Sequence, residues 1–202
     1  MFKNFFIAIC IFTGLFFLIP GNIQAKIIKQ QNDNITNYYN FEDRINRIEA
    51  VMKSAPEEKQ KILDDAFQNP QKYEPIYYTM LSNVYLETDK DKAVFSYMIG
   101  WLRSTQDVSM CKDVTARSLI LVFPLIARDT AEYMSKMNDT KYREIKKEVV
   151  NWDIDHKDRY YPQWACYQGL DSFSQDEVEI LSMRKYPSMQ KKIRKIFLTN
   201  KN

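Results

Sequence analysis

Hydrophobic residues recur along most of this chain at the spacing of a helix. From Phe41 they return after four, three and four positions, at Ile45, Ile48 and Met52, which predicts one buried stripe. Similar stripes follow at Ile62/Leu63/Ala66/Phe67, Tyr77/Leu81/Val84/Tyr85, Val94/Tyr97/Met98/Trp101/Leu102, Tyr142/Ile145/Val149/Trp152 and Met189/Ile193/Ile196/Phe197. Helices of this kind bury their apolar faces against one another. The pattern therefore predicts an all-α fold, with about seven helices in antiparallel pairs.

Several polar residues predict where these helices begin. Ser54 followed by Glu57 has the spacing of a capping box, in which two side chains satisfy free amide groups at a helix N-terminus. Ser174 followed by Glu177 repeats that spacing near the C-terminus. Asp113 is of a residue type that caps helices through its side chain. We expect a helix to start close to each of these positions.

Residues 119–123 differ from the other segments because every position is apolar. A helix that is hydrophobic all round is normally buried, so we expect this one at the centre of the fold. Pro124 follows directly. Because proline lacks an amide hydrogen, it should kink or split the helix there.

Residues 77–101 form a predicted pair of helices in the middle of the chain. A leucine and a tyrosine precede a short loop, and an alanine then stands ahead of an aromatic residue, at Leu81, Tyr85, Asp91, Lys92, Ala93 and Tyr97. This arrangement resembles one degenerate unit of the Sel1-like and tetratricopeptide families of helical repeats. The repeat glycines are missing, and no second unit occurs at a fixed period. The resemblance implies helix-pair packing and a surface that binds a peptide or protein.

The N-terminus has the layout of a secretory signal peptide. One basic residue, Lys3, precedes an uncharged stretch that runs to Ala25, and its apolar part is shorter than a membrane-spanning helix requires. We predict cleavage between Ala25 and Lys26, with an uncleaved anchor as the alternative. The prediction divides the chain into a signal peptide (1–25), a flexible lead-in (26–40) and a single helical domain (41–199). It places the protein in the periplasm or outside the cell, with no stable membrane span after processing.

Composition removes several classes of function. Without Lys3 the chain has 28 basic and 26 acidic residues, which is too even a balance to attract nucleic acid. Beyond the signal segment only Gly100 and Gly169 remain, so no glycine-rich phosphate-binding loop is present. We therefore expect neither a nucleic-acid partner nor a nucleotide cofactor.

Two cysteines, Cys111 and Cys166, lie beyond the signal segment. An exported chain with an even number of cysteines usually bridges them, so a disulfide is predicted. The alternative is a pair of buried thiols, because spacing in the sequence does not establish proximity in the fold.

Residues that could carry catalysis or bind a metal are sparse. His156 is the only histidine, which excludes a mechanism that needs two and leaves too few ligands for zinc. Asp153, Asp155 and Asp158 have the spacing of a calcium loop, but Lys157 stands where an oxygen ligand is needed. Neither cysteine lies in a motif that would make it a nucleophile. We therefore predict no catalytic residue, no metal and no cofactor, and favour a protein that is not an enzyme.

Aromatic residues concentrate between residues 152 and 173. Tryptophan and tyrosine bury a large area at a small cost in conformational entropy, which suits contact with a sugar or a partner protein. The predicted binding residues are Trp152, Tyr160, Tyr161, Trp164 and Tyr167. The alternative is that this segment folds back and its rings fill the core, because long structureless loops are uncommon in compact domains.

Two functions are compatible with these observations. The first is an exported, non-enzymatic protein that binds another protein, for example an immunity-type inhibitor of a toxin that acts on the cell envelope. Such a protein needs export and a stable surface but no catalytic chemistry. The second is a peptidoglycan- or sugar-directed enzyme or binding module, with an Asp or Glu in a cleft beside the aromatic segment.

Overall fold

The fold consists of helices that differ widely in length and regularity. The computed structural model describes residues 41–173 and 178–199; the predicted signal peptide, its cleavage site, the lead-in and the Ser174–Glu177 capping box lie outside this part. The α-helices are α1 (Phe41–Lys53), α2 (Pro56–Gln68), α3 (Ile76–Met80), α4 (Lys90–Val108), α5 (Phe123–Ile126), α6 (Arg128–Ser135), α7 (Asp139–Asp155) and α8 (Tyr186–Thr199). Between them lie the 3₁₀ helices Ser82–Tyr85, Val114–Val122, Pro162–Gln168, Leu170–Phe173 and Met183–Lys185. No β-strand occurs in the described residues, and the all-α prediction is confirmed.

Helix α4 occupies the centre of the described part. It packs against α3, α6, α7 and α8, and against the 3₁₀ helices Val114–Val122 and Pro162–Gln168. Its N-terminus is capped by Asp89, whose side chain accepts a hydrogen bond of 2.9 Å from the amide of Lys92. Most of the helix is buried, including the polar residues Arg103, Gln106 and Asp107. A helix in this position needs internal partners for its polar side chains.

The predicted helix pair 77–101 packs together, although its first helix is interrupted. Regular α-structure ends at Met80, and a 3₁₀ turn continues it through Tyr85. The two helices approach closely at Gly100, where a Cβ atom would lie only 2.1 Å from Oγ1 of Thr79. The hydroxyl of Ser96 donates a hydrogen bond of 2.8 Å to the carbonyl of Tyr78. Glycine is therefore required at this contact. Membership of a helical-repeat family stays a prediction.

The two described capping predictions had different outcomes. Asp113 accepts a hydrogen bond of 2.8 Å from the amide of Thr115 and starts a helix, as predicted. The capping box at Ser54 was wrong, because α2 starts at Pro56 with Ala55 as its cap. A capping serine must stand directly before the first helical residue. The Ser54 hydroxyl instead donates to the carbonyl of Val51, at the end of α1.

The prediction that residues 119–123 are buried at the centre holds for Leu119 and Phe123, which belong to the core, but was wrong for Leu121. This segment belongs mainly to the 3₁₀ helix Val114–Val122, which has three residues per turn. Ala116 and Leu119, one turn apart, face the core, whereas Leu121 is 76% exposed. Ile120 and Val122 are partly buried and pack against the core as well, but the ridge that carries Leu121 faces water. Pro124 splits the segment as expected, with α5 beginning at Phe123.

The chain after the aromatic segment returns to the end of α4. Residues Cys111 and Ile180 form an isolated antiparallel bridge, supported by backbone hydrogen bonds from Lys112 to Glu179 and from Leu181 to Met110. Helix α8 then packs against α4 and α7. Among the described helices, none has the length and apolar character that crossing a membrane requires.

Candidate functional site

The structure distributes the five predicted binding residues over different environments. Trp164 is fully buried and offers no accessible surface to a partner. Its indole N–H donates a hydrogen bond of 2.7 Å to Asp107, and this polar anchor explains why the ring lies inside. Trp152, Tyr160 and Tyr167 are half-buried and pack against the core, and Tyr161 is 45% exposed. The alternative, that the rings fill the core, holds for Trp164.

Trp152 joins an aromatic cluster between α2, α3, α4 and α7. Its ring meets those of Phe67 and Tyr78 edge to face, with centroid distances of 5.6 and 5.8 Å. The guanidinium carbon of Arg103 lies 4.4 Å from the ring centroid, a cation–π contact. His156 stacks on the same ring at 4.2 Å. These contacts use the ring of Trp152 inside the fold.

Asp153 is the centre of a buried group of charged side chains. Its side chain is inaccessible to solvent, and it accepts hydrogen bonds from Arg103 at 2.8 Å and Arg194 at 2.7 Å. The side-chain amide of Gln106 donates a third, also at 2.8 Å. Arg159 lies 3.5 Å away. Asp153 therefore ties together α4, α7, α8 and the segment after α7.

Asp107 is a second buried carboxylate in the same region. It accepts hydrogen bonds from Trp164, from Arg159 at 3.1 Å and from the hydroxyl of Tyr186. Arg159 contacts both Asp107 and Asp153 and so links the two carboxylates. We call the set Arg103, Asp107, Asp153, Arg159 and Arg194 the charge cluster.

Burial and neighbouring charges act against each other on the two carboxylates. Desolvation raises the pKa of Asp107, although Arg159 and Tyr186 act to lower it. Desolvation also acts to raise the pKa of Asp153, but Arg159 and Arg103 outweigh it, and this pKa lies below its ordinary value of 3.8. The surroundings therefore favour the ionised form of Asp153 more than that of Asp107.

A disulfide lies next to the charge cluster. The sulfur atoms of Cys111 and Cys166 are 2.08 Å apart, which confirms the predicted pairing. Cys111 follows Asp107 by one helical turn, and Cys166 lies two residues after Trp164. The bridge therefore fixes the Pro162–Gln168 helix to the end of α4, where Trp164 meets Asp107.

The charge cluster lacks the access that a catalytic site requires. An active carboxylate of raised pKa must meet its substrate in a cleft, but the side chain of Asp107 is inaccessible. Both cysteines are bridged and unavailable as nucleophiles. The ring nitrogen Nδ1 of His156 lies 2.9 Å from the carbonyl of Trp152. In the described part of the chain no group of acidic, histidine or cysteine side chains is arranged to hold a metal ion.

The surface over the Val114–Val122 helix is apolar and open. Leu121 is 76% exposed, and Leu125, one turn further along, is 62% exposed. At the other end of this helix Val114 is 60% exposed. Leu170, which is 48% exposed, lies beside it, because its amide donates to the hydroxyl of the adjacent Thr115. Val114 and Leu121 lie seven positions apart, on different ridges of the 3₁₀ helix, so we give the name apolar face to Leu121 and Leu125 alone.

Two arginines border the apolar face. Arg117 lies between Val114 and Leu121 in the sequence, and Arg128 follows Leu125 by three residues. Both arginines are exposed. The hydrogen bond from Lys136 lowers the pKa of Glu132, and the charge of Arg128 adds to this effect, so Arg128 already acts on one carboxylate of the protein. An apolar surface with positive charges at its edge suits a partner that presents an apolar surface and acidic residues.

Sequence reasoning missed both the charge cluster and the apolar face. The sequence pattern placed Asp153 in a possible calcium loop. The helical periodicity of α7 instead puts it directly after Trp152, close to the buried side of the helix. The exposure of Leu121 depends on the choice between α and 3₁₀ geometry. The charged residues at Arg103 and Asp107, one helical turn apart within an otherwise apolar helix, were the available signal for the cluster.

Comparison of this chain with protein-family models, with curated proteins and with solved structures finds no match.

Proposed function

We propose that this protein is an exported, non-enzymatic binding protein that holds another protein on its apolar face. The observation that carries the proposal is the exposure of Leu121 and Leu125 on one short stretch of helix. Contiguous exposed apolar side chains on a water-facing surface are the usual mark of a protein contact. The exposed charges of Arg117 and Arg128 orient such a contact, because acidic groups of the partner are attracted to them.

The interior supports a binding role by making this surface rigid. The disulfide and Asp113 hold the start of the helix that leads to the apolar face: Asp113 caps the Val114–Val122 helix and also accepts the amide of Asp171 at 2.9 Å. A preorganised surface loses less entropy when it binds. An immunity-type inhibitor of an envelope-acting toxin is the concrete form of this proposal, since it acts by occupying a site and needs no reactive group.

The test is quantitative capture with surface variants. The full chain, carrying a C-terminal tag, is recovered from the cell envelope and its bound proteins are identified and counted. We expect one stoichiometric partner on the natural chain and its loss from the variant with Leu121→Asp and Leu125→Asp. The matched control changes Ile154 and Leu198, which are 44% and 43% exposed on α7 and α8, to aspartate and should retain the partner. Equal recovery on both variants would contradict the proposal.

The sugar-directed alternative rests on a different observation. Tyr160 of the aromatic segment and the buried carboxylate of Glu74 line one cleft. Retention of the chain on purified peptidoglycan, unaffected by Leu121→Asp, would favour this alternative. The two functions are therefore separated by the same set of variants.

A further inference from the structure

A cleft of about 210 Å³ opens between α1, α2, the turn before α3 and the segment after α7. Its apolar walls come from Val51 on α1 and Ile62 on α2, and from the rings of Tyr77 and Tyr160. Tyr77 is buried, whereas Tyr160 is partly accessible. This site shares no residue with the apolar face.

The tyrosines form a wall suited to a ring. Tyr73 and Tyr77 meet edge to face, with centroids 5.8 Å apart. The hydroxyl of Tyr73 donates a hydrogen bond of 2.6 Å to Asp65, and burial together with this bond raises the pKa of Tyr73 to about 12. The phenol is therefore neutral and fixed. Aromatic walls of this kind bind flat or ring-shaped molecules through their faces and edges.

The charged residues of the cleft point to an anionic ligand. Arg47 and Lys72 line it and are both exposed, and their side chains form no hydrogen bond or ion pair within the described residues. Glu74, the carboxylate in the wall, is 4% exposed and already has an interaction within the protein. Two cations at the mouth of an apolar cleft attract an anion more strongly than they would in open water.

The size of the cleft limits the ligand to one ring. Sites for drug-sized molecules typically measure roughly 300–1,000 Å³, and this cleft is smaller. We propose that the cleft binds a small molecule consisting of one ring and one carboxylate, with the ring against Tyr77 and Tyr160 and the carboxylate at Arg47 and Lys72. A carboxylated sugar and an aromatic acid both meet this description.

The test uses pairs of probes that differ in charge. N-acetylmuramic acid is compared with its methyl ester, which keeps the lactyl group but has no charge, and benzoate with benzyl alcohol. Binding to the full chain is followed by calorimetry and by NMR shifts of the tyrosine rings. We expect the carboxylate of at least one pair to bind about tenfold more tightly than its neutral counterpart. Binding of the first pair would identify a sugar acid, and binding of the second an aromatic acid.

Charge variants locate the binding within the cleft. The double variant Arg47→Ala with Lys72→Ala should bind the carboxylate probe about tenfold more weakly. Its unfolding midpoint should equal that of the natural chain, since both side chains are exposed. Lys61→Ala, an exposed lysine on α2 that does not line the cleft, is the matched control and should bind as the natural chain does. Binding that is equal for acid and neutral probes, absent for all four, or insensitive to the double substitution would overturn the proposal. None of these outcomes depends on capture of a protein by the apolar face.

Discussion

The charge cluster and the apolar face reverse the usual distribution of side chains. Asp107 and Asp153 have side chains that solvent does not reach, whereas Leu121 and Leu125 are more than half exposed. Each charged side chain of the cluster contacts one of opposite charge inside the fold, although the buried Nε of Arg159 has no hydrogen-bond partner among the described residues. The leucines remain open to water. The buried charges join helices inside the fold, whereas the exposed leucines are the residues to which our proposal assigns binding.

Asp153→Asn should cause the largest loss of stability. It removes the charge that Arg103 and Arg194 both contact and leaves buried cations uncompensated, which costs about 3–5 kcal/mol. Chemical denaturation of the purified chain measures this loss. The exposed Asp155, two residues away on the same helix, is the control, and Asp155→Asn should change stability by about 0.5 kcal/mol or less. Equal effects of the two substitutions would show that the cluster does not stabilise the fold.

Removing the disulfide should have the next largest effect. Cys111 and Cys166 are separated by 55 residues, and closing a loop of that length is worth up to about 4 kcal/mol in the chain-entropy description. The variant with both cysteines changed to serine should therefore unfold at a lower denaturant concentration. Reduction of the natural chain should reproduce this shift, and a midpoint that reduction leaves unchanged is the contrary result.

Asp107→Asn should cost less than Asp153→Asn. Desolvation raises the pKa of Asp107 and so disfavours its charge, whereas the pKa of Asp153 is lowered. Asparagine keeps the shape and can still accept a hydrogen bond from Trp164 or Tyr186. We expect a loss of about 1–3 kcal/mol, typical of an impaired buried hydrogen bond. The order of the two variants in denaturation is the test, and the reverse order would contradict the distribution of charge described above.

Acid should destabilise the natural chain in part through Asp153. The pKa of Asp153 in the folded state is lower than its ordinary value of 3.8, which applies to the unfolded chain. Its stabilising contribution is therefore complete above about pH 4 and is lost as the pH falls through the folded-state pKa. The pKa of Asp107 is raised by desolvation, so its effect on stability has the opposite sign. Its protonation at lower pH favours the folded state. Denaturation between about pH 5 and pH 2 should show a shallower acid loss for Asp153→Asn than for the natural chain. An unchanged slope would contradict the assignment.

Leu121→Asp should have the smallest effect on stability. The side chain is 76% exposed, so the change in unfolding free energy should be about 0.5 kcal/mol or less. Leu119→Asp, two residues earlier and facing the core, is the contrast and should destabilise by several times as much. Comparable losses in the two variants would mean that Leu121 is packed rather than open.

Periodicity predicted most of the long helices because their apolar stripes are regular. The stripe Tyr142–Trp152 lies on α7 with Ile145 and Val149 buried, as expected. The predictions at Ser54 and Leu121 failed where local geometry overrides pattern. Pro56 sets the start of α2, and 3₁₀ geometry turns Leu121 outward while Leu119 stays buried. Pattern alone does not distinguish these geometries.

The candidate sites were harder to predict than the helices. The disulfide follows from the number of cysteines and the predicted export. The aromatic segment was recognised, but the burial of Trp164 depends on Asp107, 57 residues away in sequence, and the cleft unites Tyr160 with Arg47 and Lys72. Such contacts between distant segments are set by packing, and a single sequence contains no direct signal for them.

Photo-cross-linking from the apolar face tests the central claim most directly. Leu121 is replaced in the full chain by p-benzoylphenylalanine, with Leu198 on α8 replaced in a control, and both variants are irradiated in intact cells. We predict that position 121 cross-links to one partner protein and that position 198 does not. Absence of a cross-link at position 121, or the same products from both positions, would contradict the assignment of the apolar face as a protein-binding surface.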